Sequence, residues 1–404
     1  MNMNHSDHAP RLPRRAFLAG AATTTSLMLL KPSTVFGAEA NSKISLGLIG
    51  CGGRGSWIAK LFAESGLYQF VACADYFQDR ADGVGNTHNI EPARRYTGLS
   101  GYKRLLESKL DAVVIETPPY FHPQHAADAV EAGKHVYLAK PIAVDAPGCL
   151  SIGESGQRAT AKKLVFLVDF QTRANEFYRE ALRRVRAGEI GKIVMGEAHY
   201  PWSSGGRGAP PPTAEGKLRS WYGVLALSGD FIVEQAIHAL DVATWIMNAD
   251  PVRAVGMGGQ KLRAKGSIWD HFAINYEFPD KVPLSFTCIQ TIPEMKDEIV
   301  ARAYGSDGYI YSDYFSTVWI RGKEFYDGGK IPNLYTTGAQ TNIREFHQFI
   351  TQGQFSNPTV VPSVRSNLTA VLGREAAYRG GELTLAELIK ENRKLEPDLQ
   401  GLKG

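Results

Sequence analysis

The sequence predicts an α/β chain: a doubly wound parallel sheet first, then an α+β half built on a large, mainly antiparallel open sheet. Three observations predict it. Up to about residue 171, short apolar β-branched runs alternate with helical spacings, as strands buried on both faces by crossover helices do. The first run breaks into glycines, and the second ends on an acid. Beyond about residue 175 come strand-like segments that alternate apolar and polar residues, as an open sheet would.

At 404 residues the chain is long enough for two cores. It opens on "RRAFLAGAATTTSLMLL", with Arg14 and Arg15 directly before a moderately apolar run, the pattern of a twin-arginine export signal. The run holds Gly and several Thr, too short and too polar to span a bilayer comfortably. Cleavage fits after Gly37 or Ala40. The expected division is therefore a signal over 1–40, a doubly wound domain over 41–170 and an α+β domain over 171–404. Partners then include the twin-arginine machinery, and the location is periplasmic or secreted. Of the formal charge of +4, the first 40 residues account for half, with four basic and two acidic side chains. No basic patch points to nucleic acid. Cys51, Cys73, Cys149 and Cys288 show neither pairing nor metal spacing, so no metal is expected.

In chain order, "KISLGLIGCGGRG" is a strand running into glycines and "SWIAKLFAES" a helix. The strand "FVACAD" ends on Asp75. A helix is expected around 79–94, then the strand "DAVVIET", the helix "PQHAADAVEAG", the strand "HVYLAK", one more helix and the strand "KLVFLVDFQ". The amphipathic helix "NEFYREALRRVRAG" leads into strands such as "KIVMGEAHY", "FAINYEF", "VPLSFTCIQT" and "YIYSDYFSTVWIRG". The stretch "SSGGRGAPPPTAEG" reads as a long surface loop.

Gly50, Gly52 and Gly55 form G-x-G-x-x-G between strand and helix, with Gly53 and Arg54 inside the turn and Asp75 twenty residues beyond Gly55. Glycines let backbone approach a pyrophosphate, the helix N-terminus offers N–H donors, and the acid takes ribose hydroxyls. The expected cofactor is NAD, because a carboxylate accepts from a free 2′-OH and repels a 2′-phosphate; Arg80 keeps NADP as the minor alternative. Two further strand ends point to the same crevice: Thr117, Pro118, Pro119 and His122 in "ETPPYFH", and Lys140 in "AKP".

"VEQAIHALDVATWI" reads as a buried helix carrying one polar stripe, with Glu234, His238 and Asp241 at i, i+4 and i+7. A core histidine held by an i−4 carboxylate is its purely structural reading. With the glycines and Lys140, the stripe is expected to face the dinucleotide crevice.

"GLIGCGGRG", the Asp75 strand end, "TPPYFH", "AKP" and "EQAIHALD" together resemble the Gfo/Idh/MocA family, the glucose-fructose oxidoreductase and inositol dehydrogenase group, over nearly the whole chain after the leader. The resemblance implies a Rossmann domain, then a substrate domain whose open sheet often packs between subunits as a homo-oligomer. It also implies hydride transfer between a sugar or polyol hydroxyl and nicotinamide, with C3 of a pyranose favoured. Lys140 corresponds to the lysine of the family's Glu-Lys-Pro motif and His238 to its substrate-domain histidine, while Glu234 stands where aspartate is common. Ala139 departs from the usual glutamate, which leaves one contact near the nicotinamide ribose unmade.

Oxidising a secondary alcohol needs a group of near-neutral pKa to take the hydroxyl proton, and His238 is the candidate. Lys140 would hold the hydroxyl and stabilise alkoxide charge. Glu234 would orient the ring or bind a neighbouring hydroxyl. Arg173, Trp202, Trp221, Glu234 and Asp241 are the expected substrate contacts, the tryptophans by stacking on sugar C–H faces. Outside the cytoplasm no NAD pool exists, so the cofactor must leave bound and be reset in place. A ping-pong oxidoreductase does this. So does an NAD-dependent glycoside hydrolase working by transient oxidation and elimination, which needs a second base such as a tyrosine or His271. A non-catalytic sugar-binding protein is the reading from another class, argued only by Ala139.

Overall fold

A computed structural model describes residues 43–206, 208–264 and 266–404. The expected export signal, with Arg14 and Arg15, lies outside the described residues.

Six strands form a parallel sheet: β1 (Ile44–Ile49), β2 (Tyr68–Asp75), β3 (Arg95–Thr97), β4 (Ala112–Ile115), β5 (His135–Ala139) and β6 (Phe166–Asp169). Their order is β3-β2-β1-β4-β5-β6, and every neighbouring pair is parallel. The order reverses at β1, so a crevice opens between the carboxyl ends of β1 and β4. Helices Gly53–Glu64, Gln78–Thr87, Gly101–Glu107, His122–Glu131 and Ala146–Ala161 make the crossovers. The inner strands β1, β4 and β5 are largely apolar because both faces are covered: Leu46, Leu48, Val113, Val114, Val136 and Leu138 are fully buried.

Among the described residues the second sheet is built from β7 (Ile193–Trp202), β8 (Arg253–Gly259), β9 (His271–Phe278), β10 (Val282–Gln290), β11 (Val300–Gly305), β12 (Tyr309–Asp313), β13 (Thr317–Arg321), β14 (Tyr326–Asp327) and β15 (Glu382–Thr384), in the order β14-β13-β12-β11-β7-β10-β9-β8-β15. It is antiparallel except where β10 (Val282–Gln290) runs parallel to β7. The expected segments appear as β7, β9 (His271–Phe278), β10 and the hairpin β12 (Tyr309–Asp313) to β13 (Thr317–Arg321). Asn175 caps the helix Glu176–Arg186, its side chain accepting from the N–H groups of Phe177 and Tyr178 at 3.0 and 3.2 Å. Such a cap contributes about 1 kcal/mol.

Two expectations need correction. The helix around 79–94 ends at Thr87, and a short 3-10 turn at Pro92–Arg94 precedes β3. The segment 233–246 is not one helix. Phe231–Glu234 closes a short turn, Gln235 and Ala236 both donate to the Phe231 carbonyl, and a new helix runs Ile237–Met247. The offset rotates Glu234 relative to His238 and Asp241, so the continuous stripe does not form. Two long helices escape the periodicity argument, Leu334–Gln352 and Val360–Arg379. The second is buried from Ser366 to Ala377 without a break, so it carries no polar face to betray its period.

Candidate functional site

The glycine turn between β1 and the helix Gly53–Glu64 forms the floor of a cleft at the crevice. Gly50 adopts φ +99°, and a side chain there would sit 2.6 Å from the backbone of Glu116. At Gly55 a Cβ would lie 1.9 Å from the Gly50 carbonyl, so only glycine lets helix and strand approach this closely. Gly53, by contrast, faces open space beside the first helical turn, and a Cβ at Gly52 would meet only the Arg80 guanidinium, at 3.6 Å. That leaves room for a pyrophosphate against the unpaired N–H groups of a helix start. Asp75 accepts from the Cys51 and Phe77 N–H groups at 2.7 and 2.9 Å, one per oxygen, which aims the carboxylate along the cleft wall with further lone pairs to spare. Burial raises its pKa against those two bonds.

Gly50, Gly52, Gly53, Arg54, Asp75, Thr117 and Pro118 line this cleft, while Gly55 packs beneath it. A segment of the second half closes its outer side. Arg219 makes a bidentate pair with Asp79 at 2.9 and 3.0 Å and stacks 3.8 Å over Phe77, while Leu218 and Trp221 line the cleft beside it. These residues, supplied by the proline-rich loop and the short helix after it, carry no sequence signal for a cofactor role.

Next to the cleft, and sharing Arg54, Glu116, Thr117 and Trp221 with it, lies a cavity of about 470 Å³. Pro119, His122, Lys140, Trp202, Glu234 and His238 line it, together with Gln235, Tyr200, Tyr314, Phe315 and Tyr335. His122 is buried, its Nε2 2.7 Å from the Thr117 carbonyl and its Nδ1 2.8 Å from that of Pro141. It therefore ties the turn after β4 to the loop that carries Lys140. Burial holds its pKa down at about 4, so the ring is neutral and donates to one of the two carbonyls.

Lys140 Nζ donates to the Glu234 carbonyl at 2.5 Å and lies 3.4 Å from Glu234 Oε1. Glu234 thus holds the ammonium rather than orienting the His238 ring. His238 is 7% exposed, and its Nδ1 is buried without a hydrogen-bond partner. Burial first, then the nearby Lys140 and Arg54 charges, push its pKa well below the ordinary value. The ring is consequently a neutral imidazole at the end of an aromatic wall, edge-on to Phe170.

Arg173 and Asp241 are not on the cavity wall. Arg173 binds both Asp241 oxygens through Nε (3.1 and 3.0 Å) and one through Nη2 (2.7 Å), and Ser366 donates to Asp241 at 2.6 Å. The expected substrate role of this pair is corrected to that of a buried brace, because the helix break turns Asp241 away from Glu234. His271 pairs with Asp270 at 2.7 Å and also lies off the cavity. Trp202 stacks between Tyr200 and Phe315, with ring centroids 5.4 and 6.1 Å away. Tyr314, Phe315 and Tyr335 reach the cavity from the β12–β13 turn and a late helix, distances in sequence that no motif spans. Glu116 was legible as an acid at a strand end. Among the described residues, no cluster of His, Cys, Asp and Glu could hold a metal ion.

Residues 44–170 match the oxidoreductase family with an NAD-binding Rossmann fold, Gfo/Idh/MocA, and residues 178–311 match that family's C-terminal domain. The chain is 28% identical over 354 residues to the scyllo-inositol 2-dehydrogenase (NAD(+)) of Bacillus subtilis (strain 168), covering 84% of this chain and 95% of that protein. It is also 28% identical over 213 residues to a glycosyl hydrolase family 109 protein of Shewanella pealeana, 47% of this chain and 46% of that one. Among solved structures, a levoglucosan dehydrogenase in complex with NADH superposes with a TM-score of 0.70 at 18% identity, over 85% of this chain and 99% of that one, a likeness of fold.

Proposed function

The chain belongs to the Gfo/Idh/MocA oxidoreductase family, and from that premise we propose that it is an exported enzyme moving hydride between a sugar or glycoside hydroxyl and an NAD that stays bound and is reset in place. One observation carries the reading. Lys140 meets Glu234, 94 residues further along the chain, and the neighbouring His238 on the wall of a cavity that borders the dinucleotide cleft.

The cleft fits the cofactor: glycines leave its floor open, a helix start faces it, and Asp75 takes ribose hydroxyls while repelling a 2′-phosphate. When bound, NAD supplies the hydride acceptor at nicotinamide C4. Everything else is done by side chains. Lys140, fixed by Glu234, holds the substrate hydroxyl and meets the negative charge that grows on its oxygen. His238, kept neutral by burial beside two cations, accepts the hydroxyl proton. Trp202 and Trp221 offer flat apolar faces to the C–H side of a sugar ring, and C3 is the favoured position by family resemblance.

Export rests on Arg14 and Arg15 before an apolar run, and it requires that the cofactor not exchange. The Asp79–Arg219 pair across the outer side of the cleft supports retention. A second copy of the chain across the open sheet belongs to the same reading, supported by exposed Val194, Val255 and Met257 on strands of that sheet.

The glycoside hydrolase reading keeps a foothold because Tyr200 and Tyr314 do fold into the cavity. Burial raises both phenols, however, so neither is a ready base for elimination. Two measurements test the assignment. Dialysed protein is denatured and the released nucleotide identified; NAD is expected, and recovery of none from exported protein removes the retained-cofactor reading. Incubation with one glycoside and no acceptor is expected to reduce the bound NAD once and stop. Continuous aglycone release without an acceptor would instead establish the hydrolase.

A further inference from the structure

Glu116 follows β4 at the carboxyl edge of the parallel sheet, directly under the glycine turn, where its backbone would touch any side chain placed at Gly50. It borders both the dinucleotide cleft and the substrate cavity. Its side chain is fully buried, yet neither carboxylate oxygen has a hydrogen-bond partner. The cation in contact with it is Arg54, whose Nε stands 3.4 Å from Oε2 while its other end is engaged by Asp169; Asp169 and Lys140 act on it from farther away. A buried carboxylate left this way is unfavourable by itself, and such groups in native proteins are met by donors from water or a ligand.

Strand register says which donors reach it. Ile115 pairs with Leu138, and Ala139 with Asp169, so Glu116 stands level with Ala139 at adjacent strand ends. The methyl of Ala139 makes no claim on the space between. The cleft runs from Asp75, at the end of β2, towards the cavity holding Lys140 and His238. The part of a dinucleotide that passes the junction is therefore the ribose next to its reactive ring.

We propose that Glu116 is a cofactor-positioning residue whose carboxylate accepts hydrogen bonds from the vicinal hydroxyls of the nicotinamide-side ribose, from the strand end beside the one on which Ala139 stands. Arg54 holds the carboxylate in place from the helix start, and small adjustment of that pair brings the oxygens to the diol. This inference rests on the oxidoreductase reading of the cleft.

The test uses the full mature chain stripped of nucleotide, with NAD alone as the probe and affinity and release rate as readouts, before any sugar is added. Glu116→Gln and Glu116→Ala are expected to weaken NAD binding by about tenfold or more, the usual loss for removing a charged acceptor. Glu116→Ala/Ala139→Glu is expected to recover much of it, because the carboxylate returns to the neighbouring strand end. Unchanged NAD affinity in folded Glu116→Gln overturns the proposal, and a raised sugar KM with normal NAD binding transfers the carboxylate to the substrate. Failure of the unsubstituted chain to bind NAD overturns the reading of the cleft itself, and this inference with it.

Discussion

Asp241→Asn separates a brace from a binding residue. Asp241 is fully buried, the Arg173 side chain is 9% exposed, and the two share three hydrogen bonds, with a fourth from Ser366. The pair pins the turn after β6, the helix Ile237–Met247 and the helix Val360–Arg379 to one another. Neutralising the carboxylate strands a buried guanidinium, a change that costs about 3–5 kcal/mol when one partner of a buried pair is removed. Its stacking on Trp245, 5.1 Å away, recovers little, because the charge stays out of water. The expected result is a marked fall in the urea unfolding midpoint with kcat/KM of the folded fraction within about threefold of the parent. The double substitution Arg173→Met/Asp241→Leu is expected to restore most of the lost stability, since two apolar residues carry no unpaired charge. An unchanged midpoint accompanied by a KM raised about tenfold would refute this reasoning and return Asp241 to the substrate.

Lys140→Ala and His238→Ala are each expected to lower turnover by about a hundredfold or more while NAD stays bound, measured by single-turnover reduction; a folded His238→Ala with normal turnover would make the ring a core residue. Because the His238 pKa is well below its ordinary value, its protonation is expected to produce no loss of kcat/KM at pH 6.5, only at more acidic pH. Burial, against Arg54 and Lys140 and with Asp169, pushes Glu116 up to about 7 from 4.5, so the cofactor-free fold holds a proton there that the unfolded chain has lost. Stability of the stripped protein should therefore fall as pH rises between those values, by on the order of 3 kcal/mol, and Glu116→Gln should abolish that fall in the thermal midpoint. Arg219→Ala opens the outer side of the cleft and is expected to speed NAD release with little change in thermal stability, since both partners of the Asp79 pair are solvent-exposed.

Most of the parallel sheet was legible because each strand there is short, apolar and bounded by a helix of ordinary amphipathic spacing. The exceptions show why. β3 has three half-buried residues and pairs on one side only, too little to leave a pattern. The helix Val360–Arg379 packs against both halves and is buried all round, its charged Arg374 and Glu375 included, so its residues alternate with no period that water has imposed. β8 (Arg253–Gly259) holds four glycines or alanines in seven residues, and reads as a loop until its neighbour β9 supplies the partner.

The site divides along the same line between local and non-local information. Glycine spacing, Asp75, Lys140 and His238 could be found because each stands at a strand end or on a helix whose local pattern says where it points. The Glu234–His238–Asp241 stripe failed because it assumed an unbroken 3.6-residue period, and one wide turn at Gln235–Ala236 is enough to rotate the set. That same turn does chemical work. It sets the Glu234 carbonyl and carboxylate on Lys140, frees the His238 ring from any carboxylate, and sends Asp241 to Arg173. An imidazole left without an acidic partner and flanked by cations is a weaker base in its ground state, but it is also unprotonated near neutral pH before the substrate arrives. In the proposed mechanism it is therefore the break in the helix, rather than the stripe, that would leave His238 free to take a proton from a hydroxyl held by Lys140.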